Sequence, residues 1–172
     1  MNIIEKTVER RMYFLVPYNI SPIQQGIQAG HALVEYTQIY FPDNDYQDFA
    51  KNHKTFIILN GGTSSSMEMH NETLDVLDVK HGAFREPDLN NMLSGICFLL
   101  EDKHFGFDIN LDLLLDAMIA EKIECMDDIE YYFSKKHIRI ALNEPIEYLE
   151  KNNPNWKTDL FLKRWIKRFR LA

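Results

Sequence analysis

The 172 residues give room for one domain, or for one domain with an appendage. Apolar residues make up 45% and charged residues 26%, an ordinary globular balance that argues against wholesale disorder. Nineteen basic against 26 acidic side chains, net −7, exclude a protein that meets nucleic acid over its whole surface. The charge is uneven, since the first 156 residues sum to −12 and the last sixteen to +5.

Met1–Arg11 alternates charged and apolar residues with no apolar h-region, so no signal peptide is expected. No run approaches eighteen apolar residues, so no membrane span is expected. The two cysteines, Cys97 and Cys125, lie in no CxxC or Cys/His ligand set, and the expectation is no metal, no cofactor and a reducing, cytoplasmic setting.

Met12–Pro17 is a short apolar, aromatic run and reads as a buried strand. Ser21-Pro22 then forms a helix start, with Ser21 placed to cap and Pro22 at the first helical position, where its missing N–H costs nothing. The helix is expected from Pro22 to about Tyr40, ending before Pro42, with Asp43–Asn52 as loop. Within it Ile23, Ile27 and Val34 are expected as a core stripe, with Gly26 and Gly30 admitting a close backbone. Gln24, Gln28, His31 and Glu35 are spaced four, three and four apart, so they share one face. That row either lines a cleft or is the solvated face.

Lys54–Leu59 is a second strand, closed by Asn60-Gly61-Gly62, and Ser65 with Glu68 has capping-box spacing for a second helix carrying Met67, Leu74 and Leu77. This turn could hold an anion at the helix N-terminus, but it matches no phosphate-binding glycine motif, and an ordinary strand-to-helix turn is the simpler reading. Ala83–Glu86 is a short third strand, Pro87–Met92 a turn, and Leu93–Leu100 a central strand. The order β-α-β-α-β-β predicts a small α/β layer sandwich with a mixed, four-stranded sheet over residues 1–101. Residues 102–172 read as a helical extension. Leu111, Leu114, Leu115, Met118 and Ile119 form one stripe, Ile129, Tyr132 and Phe133 another, Asn143-Glu144-Pro145 opens a third helix, and Leu162, Trp165, Ile166 and Phe169 lie on a last one.

Ile20–Tyr36 resembles the first-helix signature of the archaeal/eukaryotic-type peptidyl-tRNA hydrolases, in which a Gln and two small residues precede His-Ala, here Gln28-Ala29-Gly30-His31-Ala32. The resemblance covers about residues 11–101 and implies a single α/β domain that hydrolyses the ester joining a peptide to tRNA. It implies a catalytic role for His31. The family's lysine falls on Gln24, its aspartate on Gly82 and its threonine on Glu86, so three of the four functional positions depart from the pattern. A replacement set lies close by, with Glu86 or Asp88 as base, His31 as acid or donor, Arg85 as anion clamp, and Gln24, Gln28, Asn90 and Asn91 as substrate contacts. The alternative is a catalytically inactive member kept as a binding or protein-interaction module, with the 85–91 stretch serving as turn chemistry. In the basic tail, Lys163, Arg164, Lys167, Arg168 and Arg170 interleave with aromatic residues. They form a patch for tRNA or another RNA, an amphipathic helix for a membrane surface or a partner, or a docking helix whose cations meet the acidic body.

Overall fold

The computed structural model describes residues 8–120, 151 and 153–172. The expected helices around Ile129–Phe133 and Asn143–Pro145, and Cys125, lie outside the described residues. The chain divides into two compact units, Met1–Glu101 with Phe169–Ala172, and Asp102–Arg168.

The first unit is a mixed four-stranded sheet in the order β2-β1-β4-β3, carrying helices. The strands are β1 (Arg10–Val16), β2 (Thr55–Asn60), β3 (His81–Glu86) and β4 (Met92–Glu101). β1 runs parallel to β2 and antiparallel to β4, and β3 pairs antiparallel with β4. The most apolar runs in this unit therefore take the two central places, as expected for strands covered on both faces. Helix α1 (Pro22–Tyr40) packs on one face of the sheet and α3 (Ser64–Val76) on the other. Met12, Phe14, Val16 and Cys97 meet Ala29, Ala32 and Tyr36 on the α1 face. The Cys97 thiol donates to the Ala32 carbonyl at 3.1 Å, and burial pushes its pKa upward, so it is a core residue and not a nucleophile.

Two local expectations are corrected. Asp43–Asn52 is not loop: Asn44–Asp48 is a short helix, α2, capped by Asp43, and Phe49–His53 is a π-turn. Tyr46 and Phe49, three apart, bury their rings over the sheet, and Phe49 stacks on Phe56 with centroids 6.1 Å apart. Two aromatics among many polar residues supply enough burial to order the segment. Helix α3 is capped by Thr63, whose hydroxyl accepts from the Ser66 amide, and not by Ser65.

The last residues return to the sheet. Leu171 bridges antiparallel to Leu59, the Asn60 amide donates to the Arg170 carbonyl at 2.9 Å, and the Ala172 amide donates to the Ile58 carbonyl at 3.0 Å. This short segment covers the outer edge of β2, which would otherwise offer unpaired backbone groups. Phe169 packs edge-on to His70, 4.9 Å between centroids.

The second unit contains α4 (Asp102–Phe105), α5 (Ile109–Ala120) and α6 (Trp156–Ile166). Leu111, Leu114, Leu115 and Met118 of α5 close on Trp156 and Leu160 of α6. Of the stripe expected on α5, Ile119 is exposed. Charged groups sit inside this unit. Asp159 accepts from His104 Nε2 at 2.8 Å and from Asn153 Nδ2 at 2.7 Å, and pairs with Lys103 at 2.9 Å. Burial would raise the Asp159 carboxyl, but the hydrogen bonds from His104 and Asn153 and the charge of His104 outweigh it and bring it down to about 2.

Candidate functional site

Helix α1 has three faces. Its capping box is complete, with Ser21 Oγ accepting from the Gln24 amide and Gln24 Oε1 accepting from the Ser21 amide. Gln24 is thereby a helix-end residue, exposed to solvent. The face toward the sheet is made by Gln28, Ala29, Ala32 and Tyr36. The expected core stripe of Ile23, Ile27 and Val34 is corrected: these side chains are 78%, 51% and 54% exposed.

The reason lies in two strand glycines. A methyl on Gly82 would stand 2.5 Å from the Tyr36 nitrogen, and one on Gly95 would stand 2.5 Å from the Gln28 carbonyl oxygen. The α1 backbone rests directly on β3 and β4, so only small side chains fit at the contact and the large aliphatics turn outward. A methyl on Gly26 or Gly30, by contrast, would meet nothing within 4 Å beyond the adjoining helix backbone.

The flank between these two faces carries the polar row. Gln28 is buried and satisfied at both ends of its amide. Its Nε2 donates to Glu86 Oε2 at 2.8 Å, and its Oε1 accepts from Ser94 Oγ at 2.8 Å. Ser94 was not legible in the sequence as a site residue. Strict alternation along β4 would turn it away from the face of Gly95. A register shift between Phe84 and Arg85, however, leaves Ser94 as the extra residue of β4, and the bulge turns it toward α1. His31, three residues on, is exposed and lies nearly flat on Phe84, with ring centroids 4.4 Å apart and planes at 19°. Among the described residues, the His31 side chain makes no hydrogen bond.

The expected constellation does not assemble as a whole. Arg85 and Glu86 are adjacent on β3, so their side chains leave opposite faces. Glu86 reaches α1, whereas Arg85 turns to α3 and grips Glu68 with two bonds of 2.7 Å. The Arg85 guanidinium holds the Glu68 carboxyl below its ordinary range, and Glu68 in turn raises Arg85. Asp88, Asn90 and Asn91 are exposed turn residues. Pro87–Leu89 is a 3₁₀ turn, and Asn90 and Asn91 hold φ of 54° and 57°, a left-handed region that asparagine tolerates. The turn after β2 is likewise occupied within the fold. Gly61 donates to the Val16 carbonyl, Gly62 to Asn60 Oδ1 and Ser66 to Thr63.

The basic C-terminal set is also divided. Lys163 is corrected as a contact residue: it is fully buried, donates to the carbonyls of Lys103 at 2.9 Å and Gly106 at 2.6 Å, and pairs with Asp112 at 3.2 Å. An ammonium with its donors spent on the interior has none left for a phosphate. Lys167 also reaches Asp112, at 3.4 Å, from an exposed position, and Arg164 is half-buried. Arg168 and Arg170 are exposed. Among the described residues no group of His, Cys, Asp and Glu is placed to hold a metal ion, and no helix is long and apolar enough to cross a membrane.

No protein-family model matches the chain, and no curated protein matches it. Among solved structures, the chain is similar to a protein of unknown function from Agrobacterium tumefaciens strain C58, with 10% identity and a TM-score of 0.37, over 55% of this chain and 88% of that one.

Proposed function

We propose that the chain is a binding member of a peptidyl-tRNA-hydrolase-like α/β fold, one that keeps the histidine of the first helix without the proton chemistry around it. One observation carries this reading. Glu86, the nearest candidate base, is taken up by Gln28, while His31 lies against Phe84 with no carboxylate on its ring nitrogens among the described residues. General acid–base catalysis needs its partners within hydrogen-bond reach of one another or of the transferred proton. Gln24, at the position of the family's lysine, is part of the helix cap, and Arg85 is tied to Glu68 on the other side of the sheet. What remains is a recognition surface: the His31–Phe84 ring pair, with Glu35 one helical turn beyond His31.

A protein partner suits this surface better than RNA. Several cations that could meet phosphates are already held: Arg10 by Asp45, Asp48 and Glu101, Lys80 by Asp43, and Lys163 by Asp112. RNA binding would draw on exposed Lys and Arg and would weaken steeply with salt. The test is peptidyl-tRNA incubated with the protein and with His31→Ala, scored for released peptide, alongside tRNA binding across a salt series. No release and no salt-steep binding are expected. Release that His31→Ala abolishes would establish the hydrolase and overturn the binding reading.

A further inference from the structure

The outer stripe of α1 combines two features that nothing within the described fold explains. The first is its apolar surface. At 3.6 residues per turn, Ile23, Ile27, Gly30, Val34 and Phe41 fall within about 60° of one another on the helix. Ile23 and Phe41 are 78% and 60% exposed, and the stripe lies opposite the face that carries Ala32. The second is its glycines. Gly26 and Gly30 weaken the helix, yet no atom outside the adjoining helix backbone lies within 4 Å of the Cβ either would carry, in contrast to Gly82 and Gly95.

We infer that this stripe is an isologous interface, docking against the same stripe of a second copy of this chain. A two-fold axis at Gly30, with the helices antiparallel, pairs residue i with residue 60 − i. Each Gly30 then meets its counterpart, and each Val34 sits over the partner copy's Gly26. A bulky residue placed over a gap on a self-complementary surface is what a two-fold contact requires. The charge pattern points the same way. Of Asp, Glu, Lys and Arg, α1 contains Glu35 alone, and that residue lies on the polar flank. Two copies of a chain of net −7 repel elsewhere, but on this seam they bring no ionised groups together. A lipid surface is poorly served, because interfacial helices carry Lys or Arg on their polar face and α1 has neither. The area fits as well. The stripe exposes apolar surface on the order of 400 Å² per copy, within the range at which such patches mark interaction sites. Two copies with their polar rims reach about 1,000 Å², the low end of specific interfaces, so the dimer is a weak, reversible one. The inference is independent of the binding reading, since a hydrolase could pair through the same helix.

The experiment is sedimentation velocity of the full chain, from nanomolar to high-micromolar concentration. A monomer–dimer equilibrium is expected. Ile27→Asp and Val34→Asp should each weaken it at least tenfold. Both positions are exposed, so the fold should persist, and circular dichroism checks this. Gly30→Ala, which fits the isolated helix, should weaken the dimer as well, whereas Val76→Asp, on an exposed apolar residue of α3, should leave it unchanged. A chain that stays monomeric throughout overturns the inference. So does a dimer whose dissociation constant is unmoved by Ile27→Asp, Val34→Asp and Gly30→Ala.

Discussion

The two units of this chain are held together by different physics. In the sheet unit the buried polar side chains, Gln28 and Ser94, are neutral and bond to each other, and the tightest constraint is steric, where α1 lies on Gly82 and Gly95. In the helical unit three ionisable side chains among the described residues, His104, Asp159 and Lys163, sit inside. A core without buried charges tolerates changes of pH and fails when atoms are added. A core that also holds charges fails in addition when a partner is removed or neutralised. Both tryptophans, Trp156 and Trp165, belong to the helical unit, so their fluorescence reports that unit alone, while amide exchange in β1 and β4 reports the sheet.

The largest effect is expected from removing the cation. Lys163→Met leaves Asp112 and the carbonyls of Lys103 and Gly106 without their shared donor. Breaking a buried pair costs about 3–5 kcal/mol, and the partial exposure of Asp112 puts this case near the lower figure. Urea unfolding followed by tryptophan fluorescence should show the loss, while exchange in β1 and β4 stays as it was. Equal losses in both units would erase the distinction between them.

The steric counterpart is Gly95→Ala. A single methyl driven against the Gln28 carbonyl should destabilise the sheet unit by about 2–3 kcal/mol, because backbone and not a flexible side-chain end must give way. Amide exchange in β1 and β4 measures it. A variant that leaves exchange unchanged would mean that α1 does not rest on the strand as closely as 2.5 Å implies.

Acid should separate the units next. The hydrogen bonds around the Asp159 carboxyl bring it down to about 2 in the folded chain, from an ordinary value of 3.8. Because the folded value is the lower one, the stabilisation is complete above about pH 4 and disappears as pH falls toward 2, a loss of about 2 kcal/mol. Tryptophan-detected stability should fall across that window, and Asp159→Asn should flatten the slope. In the sheet unit the lowered carboxyls of Asp43, Asp48 and Glu68 are all partly exposed, where solvent and salt screen them, so the pH dependence there should be weaker.

The sequence showed the sheet plainly and the site in part. Short apolar runs, a Ser-Pro start and alternation were enough for four strands and two main helices, because hydrophobic period and capping chemistry are local. The orientation of α1 was not local. Its aliphatic stripe looked like the core face, and only the glycines of β3 and β4, fifty or more residues away, determine that Ala29 and Ala32 face the sheet. The same holds for the site. The pairing of Gln28 with Glu86 follows from a helical row and a strand residue, but Ser94 depends on a bulge, and the separation of Arg85 from Glu86 depends on which helix covers which face. Lys163 illustrates the hazard in the tail. A basic residue among aromatics suggests an RNA contact, but the carbonyls of Lys103 and Gly106 and the carboxylate of Asp112 close around it.

The smallest expected effect has the opposite sign, and it divides the sheet unit itself. Gly26→Ala places a methyl where no atom outside the adjoining helix backbone lies within 4 Å, on a helix that gains order from the change. Alanine is better than glycine in a helix interior by about 1 kcal/mol, so the variant should be slightly more stable than the parent at concentrations where the chain is monomeric. The same methyl on Gly95, across the helix, is expected to cost two or three times as much as this one gains. If thermal unfolding of dilute Gly26→Ala shows a loss instead, the outer face of α1 is covered within the chain, and the contrast between its two pairs of glycines is one of degree. If it shows the gain, those glycines are costs to the isolated fold, and their reason lies outside it.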